Sequence, residues 1–214
     1  GCWLLAAGCW LLAGVEIFYN SGTGKQLNAT FNPDFGQAES DDVVINFSAQ
    51  ETFYSEKRAF FNENQSLFNI NNYDRYSVIN TRRIGSGPSY ECSLEENIDE
   101  CEASKKNYTD IAYAARYSQK IGKTEFGFLS AKENNESFSV GRDFYAIRSR
   151  TNFGNQTLGY MITHVDDNFN KSSATVNVLD YVNVKSDQLS YFTDLLISEK
   201  NNKSKFGFRS QFNY

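Results

Sequence analysis

The chain has 214 residues and a formal net charge of −5 at neutral pH, with a sequence pI near 5.0. That balance argues against a nucleic-acid binder, whose partner phosphates need a basic surface, and no RNA- or DNA-reading motif is present. Aromatic residues make up 15% of the chain, yet the mean hydropathy is −0.53. Bulky apolar groups are therefore spaced between polar ones, as in strands with one apolar face.

Residues 1–13 form an apolar head in which Gly-Cys-Trp-Leu-Leu-Ala occurs twice in succession. The apolar run is shorter than the ~20 residues a membrane-spanning helix needs. Ala7-Gly8-Cys9 is weakly similar to a lipoprotein cleavage site, but neither an initiator Met nor a basic n-region accompanies it. The head reads as a targeting remnant or, with more weight, as an artefact on a fragment, and it is set aside from the fold.

From Gly14 the period is two. Val15, Ile17 and Tyr19 alternate with Glu16, Phe18 and Asn20, a Gly-containing turn follows, and Leu27, Ala29 and Phe31 resume the alternation. Residues 32–68 are a central motif: an Asn-Pro-Asp turn, an acidic run, a predicted strand over 43–52, then a basic, doubly aromatic Lys57-Arg58-Ala59-Phe60-Phe61. Residues 76–83 read as a further strand ending in Arg82-Arg83, and 85–106 as a polar loop. Ile111, Tyr113, Ala115 and Tyr117 then share a face, Phe126 and Phe128 lead the next strand, and more strands are expected over 137–151, 158–165, 174–184, 189–198 and 205–214. The pattern predicts an all-β antiparallel meander of about eleven strands with no helix. Strands this long exceed the ~5–6 residues usual in soluble sheets and approach the ~9–11 of spanning strands. Aromatics gather toward strand ends at Tyr108, Phe153, Tyr181, Tyr191, Phe212 and Tyr214, as in an interfacial girdle, although aromatics favour strands in any case.

The residues NPDFGQ at 32–37, Glu-Thr-Phe at 51–53, Lys57-Arg58, Phe60-Phe61 and Arg82-Arg83-Ile84-Gly85 resemble the start of the barrel region in a bacterial outer-membrane β-barrel family of unassigned function. Gly141-Arg-Asp-Phe-Tyr-Ala-Ile-Arg also looks like a strand of that family. Its full-length members carry an N-terminal carbohydrate-binding-like domain. The resemblance implies that residues 14–214 are part of a transmembrane β-barrel in the outer membrane of a Gram-negative bacterium. It also implies outer-membrane lipid as a partner, and an oligosaccharide as a candidate ligand to be bound or transported. The alternation Phe206, Phe208, Phe212, Tyr214 is similar to a C-terminal barrel-assembly signal, but every lipid-facing strand alternates so, and truncation is the preferred reading.

Cys92 and Cys101 bracket eight residues of the polar loop, a spacing that predicts a disulfide in an oxidising envelope. Zinc is disfavoured because the single histidine, His164, lies far away. Glu91, Glu95, Glu96, Asp99, Glu100 and Glu102 lack the spacing of a calcium loop and read as a solvated cluster. With no nucleophile elbow, zinc-protease or phosphate-loop motif, the chain is read as a non-enzyme without cofactor.

The central motif is expected to be structural, seated inside or at the periplasmic mouth of a barrel, with a surface loop as the competing reading. Its residues are Asn32, Pro33, Asp34, Phe35, Gly36, Glu39, Asp41, Glu51, Lys57, Arg58, Phe60 and Phe61, with Phe68 as a further anchor and Arg82 and Arg83 cross-pairing the acids. A secreted or cell-surface β-sandwich that works by binding is the alternative, and eight Asn-x-Ser/Thr triplets would suit a glycoprotein. On a barrel, the face of Val176, Val178, Val182 and Val184 is expected to meet lipid, with Asp180 as the exception. Asp110, Arg116 and Ser118 should face the lumen. Val178→Arg would then impair assembly far more than Asn177→Arg.

Overall fold

In a computed structural model, residues 14–33, 56–63, 65–70, 78–186 and 189–214 are described. The acidic run, the expected strand over 43–52 and the apolar head lie outside them. Nine strands form one open antiparallel sheet in sequence order: β1 (Val15–Asn20), β2 (Lys25–Phe31), β3 (Ile111–Ile121), β4 (Thr124–Glu133), β5 (Arg142–Asn152), β6 (Gln156–Asp167), β7 (Ser172–Val184), β8 (Ser190–Lys200) and β9 (Lys203–Asn213). From β3 onward each strand has 10–13 residues. The connections among them are short. Asn201 and Asn202 both take positive φ, 49° and 63°, which twists the two-residue β8–β9 turn to match its strands.

Two faces follow from the register. On one, Arg116, Leu129, Ala146, Thr163 and Val176 line up across β3 to β7, beside a parallel row of Gly127, Arg148, Met161, Val178 and Leu196. On the other lie Leu27, Tyr117, Phe128, Ile147, Ile162, Asn177, Ile197 and Phe206. The first face is covered. Two four-residue helices, α1 (Ala59–Asn62) and α2 (Gln65–Phe68), are far too short to persist alone. They exist because Phe60, Phe61, Leu67 and Phe68 bury against Ala114, Leu129, Ala131, Phe144, Ala146, Met161 and Val178. The second face carries large exposed apolar groups, with Ile147 51% and Phe206 69% exposed.

Several expectations change here. The strand expected over 76–83 is not found over its described residues 78–83, which lead into a 3-10 turn, Thr81–Arg83, where Thr81 and Ile84 turn inward and are buried. Helices do occur: α1, α2 and α3 (Ile98–Ala103). The strand predicted from 137 starts at Arg142. The valine face of β7 is the covered one, since Val178 is fully buried while Leu179 beside it is 43% exposed. Alternation fixed which residues share a face but not which face is covered. Asp180 thus belongs with Val178 by register and needs no exemption. On β3, Tyr113, Ala115 and Tyr117 do share the uncovered face and Arg116 the covered one. Ile111, however, is buried because the β3–β4 register slips between Ile111 and Tyr113.

Cys92 and Cys101 form a disulfide between the 3-10 turn Cys92–Leu94 and α3. Closing a loop this short stabilises it by about 2–3 kcal/mol in the chain-entropy picture. Replacing both cysteines by serine is therefore expected to speed amide exchange across residues 88–106 while leaving β4 to β7 as protected as before. Equal loss of protection in the sheet would show that the disulfide is a global rather than a local brace.

Candidate functional site: the cradle beneath the helical segment

Residues 56–70 sit in a cradle that the covered face builds from two glycines and three arginines. Gly127 lies in Phe126-Gly-Phe128, and a Cβ there would come within 2.7 Å of Leu67 and 2.9 Å of Phe68. The missing side chain is the space α2 occupies. The main chain around the two helices is received by guanidinium groups: Arg116 Nη1 donates to the Glu63 carbonyl, Arg148 Nε to that of Leu67 at 3.1 Å, and Arg150 Nη1 to that of Ser66 at 3.2 Å. These carbonyls lie around α1 and α2, where short helices leave acceptors unsatisfied. The Glu63 carboxylate accepts from Arg116 Nη2 (2.6 Å), Gln26 Nε2 (2.6 Å) and Asn28 Nδ2 (2.9 Å), which ties the segment to β2 and β3.

Beneath the segment runs a charged row. The register places Lys120, Glu125, Arg150, Gly159, Asp180, Asp194 and Arg209 side by side from β3 to β9. Glu125 holds Arg150 at 2.5 Å and Lys120 at 3.7 Å. Gly159 leaves a gap over which Arg148 reaches from β5 to β7. Its Nη1 pairs with Asp180 Oδ1, and its Nη2 donates to Asp180 Oδ2 at 2.9 Å. Both partners are almost wholly buried. A Cβ on Gly159 would stand 2.5 Å from both guanidinium nitrogens and from Asp180 Oδ1.

The chain returns from the cradle through a second anchor. Arg58 is buried and donates to both Glu56 oxygens at 2.8 Å, to the Ile84 carbonyl at 2.7 Å and to the Thr81 carbonyl at 2.7 Å. Its charge stacks on Phe61 at 4.3 Å. Gly85, at φ +82°, donates its N–H to Glu133 Oε1 (2.8 Å), and Arg142 pairs with the same carboxylate. The Arg-Arg-Ile-Gly motif is thus the clip that joins the segment's return to β4 and β5.

Of the residues singled out in the central motif, Phe60, Phe61 and Arg58 are buried here, while Lys57 is exposed. Asn32, at φ 46°, donates its N–H to Ala112 O at 2.9 Å, with Pro33 next to it. Asp34, Phe35, Gly36, Glu39, Asp41 and Glu51 lie outside the described residues. Arg82 is half-buried and Arg83 exposed; Arg83 offers its carbonyl to Arg142. His164 is on the uncovered face, bonded to Thr175 Oγ1 at 2.8 Å and facing Asp166 at 3.1 Å. The acidic loop is largely exposed, and among the described residues no cluster suited to a metal ion occurs. Arg148, Arg150, Glu133, Gly127 and Gly159 are not among the residues singled out in sequence, and Arg116 is expected there only to face inward, without its bonds to Glu63. The legible signal was a glycine between two large apolar residues in mid-strand, as in Phe126-Gly127-Phe128 and Leu158-Gly159-Tyr160, which marks a close approach by other atoms.

A long antiparallel meander that shelters a helical segment on a charged face defines an all-β class of protein. Within that class the chain belongs to the family described as Domain of unknown function (DUF5916), whose model matches residues 10–214. No curated protein matches the chain, and no solved structure does.

Two outcomes test the cradle. Breaking one side of a buried ion pair costs about 3–5 kcal/mol. Asp180→Ala and Gly159→Ala, which removes no charge, should both destabilise the protein strongly in denaturant titrations. A neutral Gly159→Ala would rule out the gap as the reason for that glycine. The second outcome concerns acid. Burial pushes the Glu56 carboxyl up, but hydrogen bonds from Arg58 and Thr81 and the Arg58 charge outweigh it and leave it below the usual range. A lowered carboxylate stabilises the fold above its unfolded value, ~4.3, and loses that contribution as pH falls through the folded value. Amide exchange over residues 56–70 should accelerate relative to β4–β6 below about pH 4. In Glu56→Gln that acid dependence should vanish.

Proposed function

We propose that this domain is part of the wall of an outer-membrane β-barrel, with the uncovered face against lipid and residues 56–70 seated as a plug on the lumen side. The observation that carries the reading is the distribution of charge. On the uncovered face of β2 to β9, charged side chains occur only near strand ends, at Lys25, Lys132, Asp143, Asp166 and Glu199. Between them run Leu27, Tyr117, Phe128, Ile147, Leu179, Leu195 and Phe208. The covered face holds the buried ions. A protein in water gains by burying its apolar face and wetting its charged one, whereas a barrel wall faces lipid with its apolar side and keeps a polar interior. Strand lengths of 10–13 residues suit a tilted crossing. Tyr181, Tyr191 and Phe212, in ring contact at one strand end, fit an interfacial girdle.

The activity that follows is passage or binding of a polar solute, such as an oligosaccharide, along the lumen face, gated by whether the plug occupies its cradle. The chain is not read as an enzyme: its one histidine sits on the lipid side, and among the described residues the buried pairs Arg58–Glu56 and Arg148–Asp180 hold structure.

Because Val178 is buried in either setting, arginine there cannot distinguish lipid from water. Ile147 can. At the midpoint of β5 and half exposed, it should accept arginine at little cost in water, since exposed positions are tolerant, but at about 2–4 kcal/mol near a bilayer midplane. The expected result is that Ile147→Arg sharply lowers folding yield into lipid vesicles. A wild-type chain that stays soluble and monomeric without detergent, with Ile147→Arg folding equally well, would exclude the membrane reading.

A further inference from the structure

At the strand end where β7 turns into β8, the uncovered face holds a cavity of about 390 Å³ lined by Tyr181, Asn183, Lys185, Leu189, Tyr191 and Phe212. We propose that it is a binding site for the phosphate headgroup of an anionic lipid, an inference that rests on the membrane reading above. The floor is aromatic: Tyr191 lies tilted on Phe212 with ring centroids 4.6 Å apart and meets Tyr181 edge-on at 6.4 Å. The rim supplies donors. Asn183 Nδ2 donates to the Tyr181 hydroxyl at 3.3 Å, which leaves that O–H free to point at a ligand, and the Lys185 ammonium offers three more. Among the described lining residues none is acidic, and Lys185 contributes a positive charge.

The position selects the occupant. The cavity lies where the apolar face ends and the turn begins, and the Lys185 N–H donates to the Leu189 carbonyl at 2.9 Å to close that turn. On a barrel this is headgroup level, where Tyr and Trp rings and basic side chains meet phosphate. A lipid satisfies both halves of the site, its phosphate at Lys185 and Tyr181 and its glycerol and first methylenes on Tyr191 and Phe212. A free anion would leave the aromatic floor wet.

The test uses the full chain folded into phosphatidylcholine nanodiscs, with phosphatidylglycerol titrated in and retained lipid counted by native mass spectrometry after transfer to detergent. Phosphatidylglycerol is expected to be retained several-fold over phosphatidylcholine. Lys185→Gln and Tyr191→Ala should abolish the difference, and Lys123→Gln, in the β3–β4 turn at the same end, should keep it. Insertion without any preference, equal loss in Lys123→Gln, or displacement of the lipid by inorganic phosphate would overturn the site while leaving the membrane reading intact. Failure to insert into phosphatidylcholine would overturn both.

Discussion

The structure depends on how one buried cation is satisfied. Arg148 lies under α2 with almost no access to solvent, and an ion in that position costs several kcal/mol unless a counter-charge meets it in good geometry. Its partner, Asp180, is two strands away. The pair closes only because the strand between them offers Gly159, and the remaining Nε is satisfied by the carbonyl of Leu67. One side chain therefore ties β5, β7 and the helical segment together. The register of three strands and the seat of α2 are satisfied together or fail together.

The rest of the cradle extends the same logic outward. Arg150 and Glu125 pair one row position along, Arg116 and Glu63 fasten the segment to the β2–β3 side, and Glu133 with Arg142 receives Gly85 where the chain comes back. Each of these arginines donates to main-chain carbonyls as well as to a carboxylate, as buried polar groups must to offset lost hydration. Helices of four residues have little stability of their own, so the segment takes its conformation from the surface on which it lies.

Much of the sheet was legible because a two-residue period is a local signal. Long strands, their order and the disulfide could be read from alternation, turn residues and cysteine spacing. What alternation cannot say is which side of a strand is covered, since that depends on a segment distant in the chain; Val178 and Leu179 are both apolar, and it is Val178 that joins Leu67 and Phe68 in one buried cluster. The same holds for Thr81–Arg83, whose β-like composition yields to the demand that Ile84 be buried and Gly85 reach Glu133. Phe60 and Phe61 were recognisable as anchors, being paired aromatics beside a basic run. The guanidinium groups of Arg148 and Arg150 that receive the carbonyls of Leu67 and Ser66 were not, because an arginine in a strand looks the same in sequence whether it meets water or a carbonyl.

The connection between β2 and β3 has a consequence for the order in which the chain assembles. Every other neighbouring pair of strands is joined by a short turn, so β3 through β9 can zip by successive local hairpins. Pairing Phe31 with Tyr113 must instead close residues 32–112 into a loop, an entropic cost of about 4 kcal/mol before any constant term. Seating residues 56–70 on β3 to β5 shortens that loop, through Glu63 to Gln26 and Asn28, before the two strands meet. The helical segment is then a kinetic bridge as well as a lining. The β1–β2 hairpin is the element whose arrival on the sheet has to wait for it, as expected where the rate is set by the sequence separation of contacts.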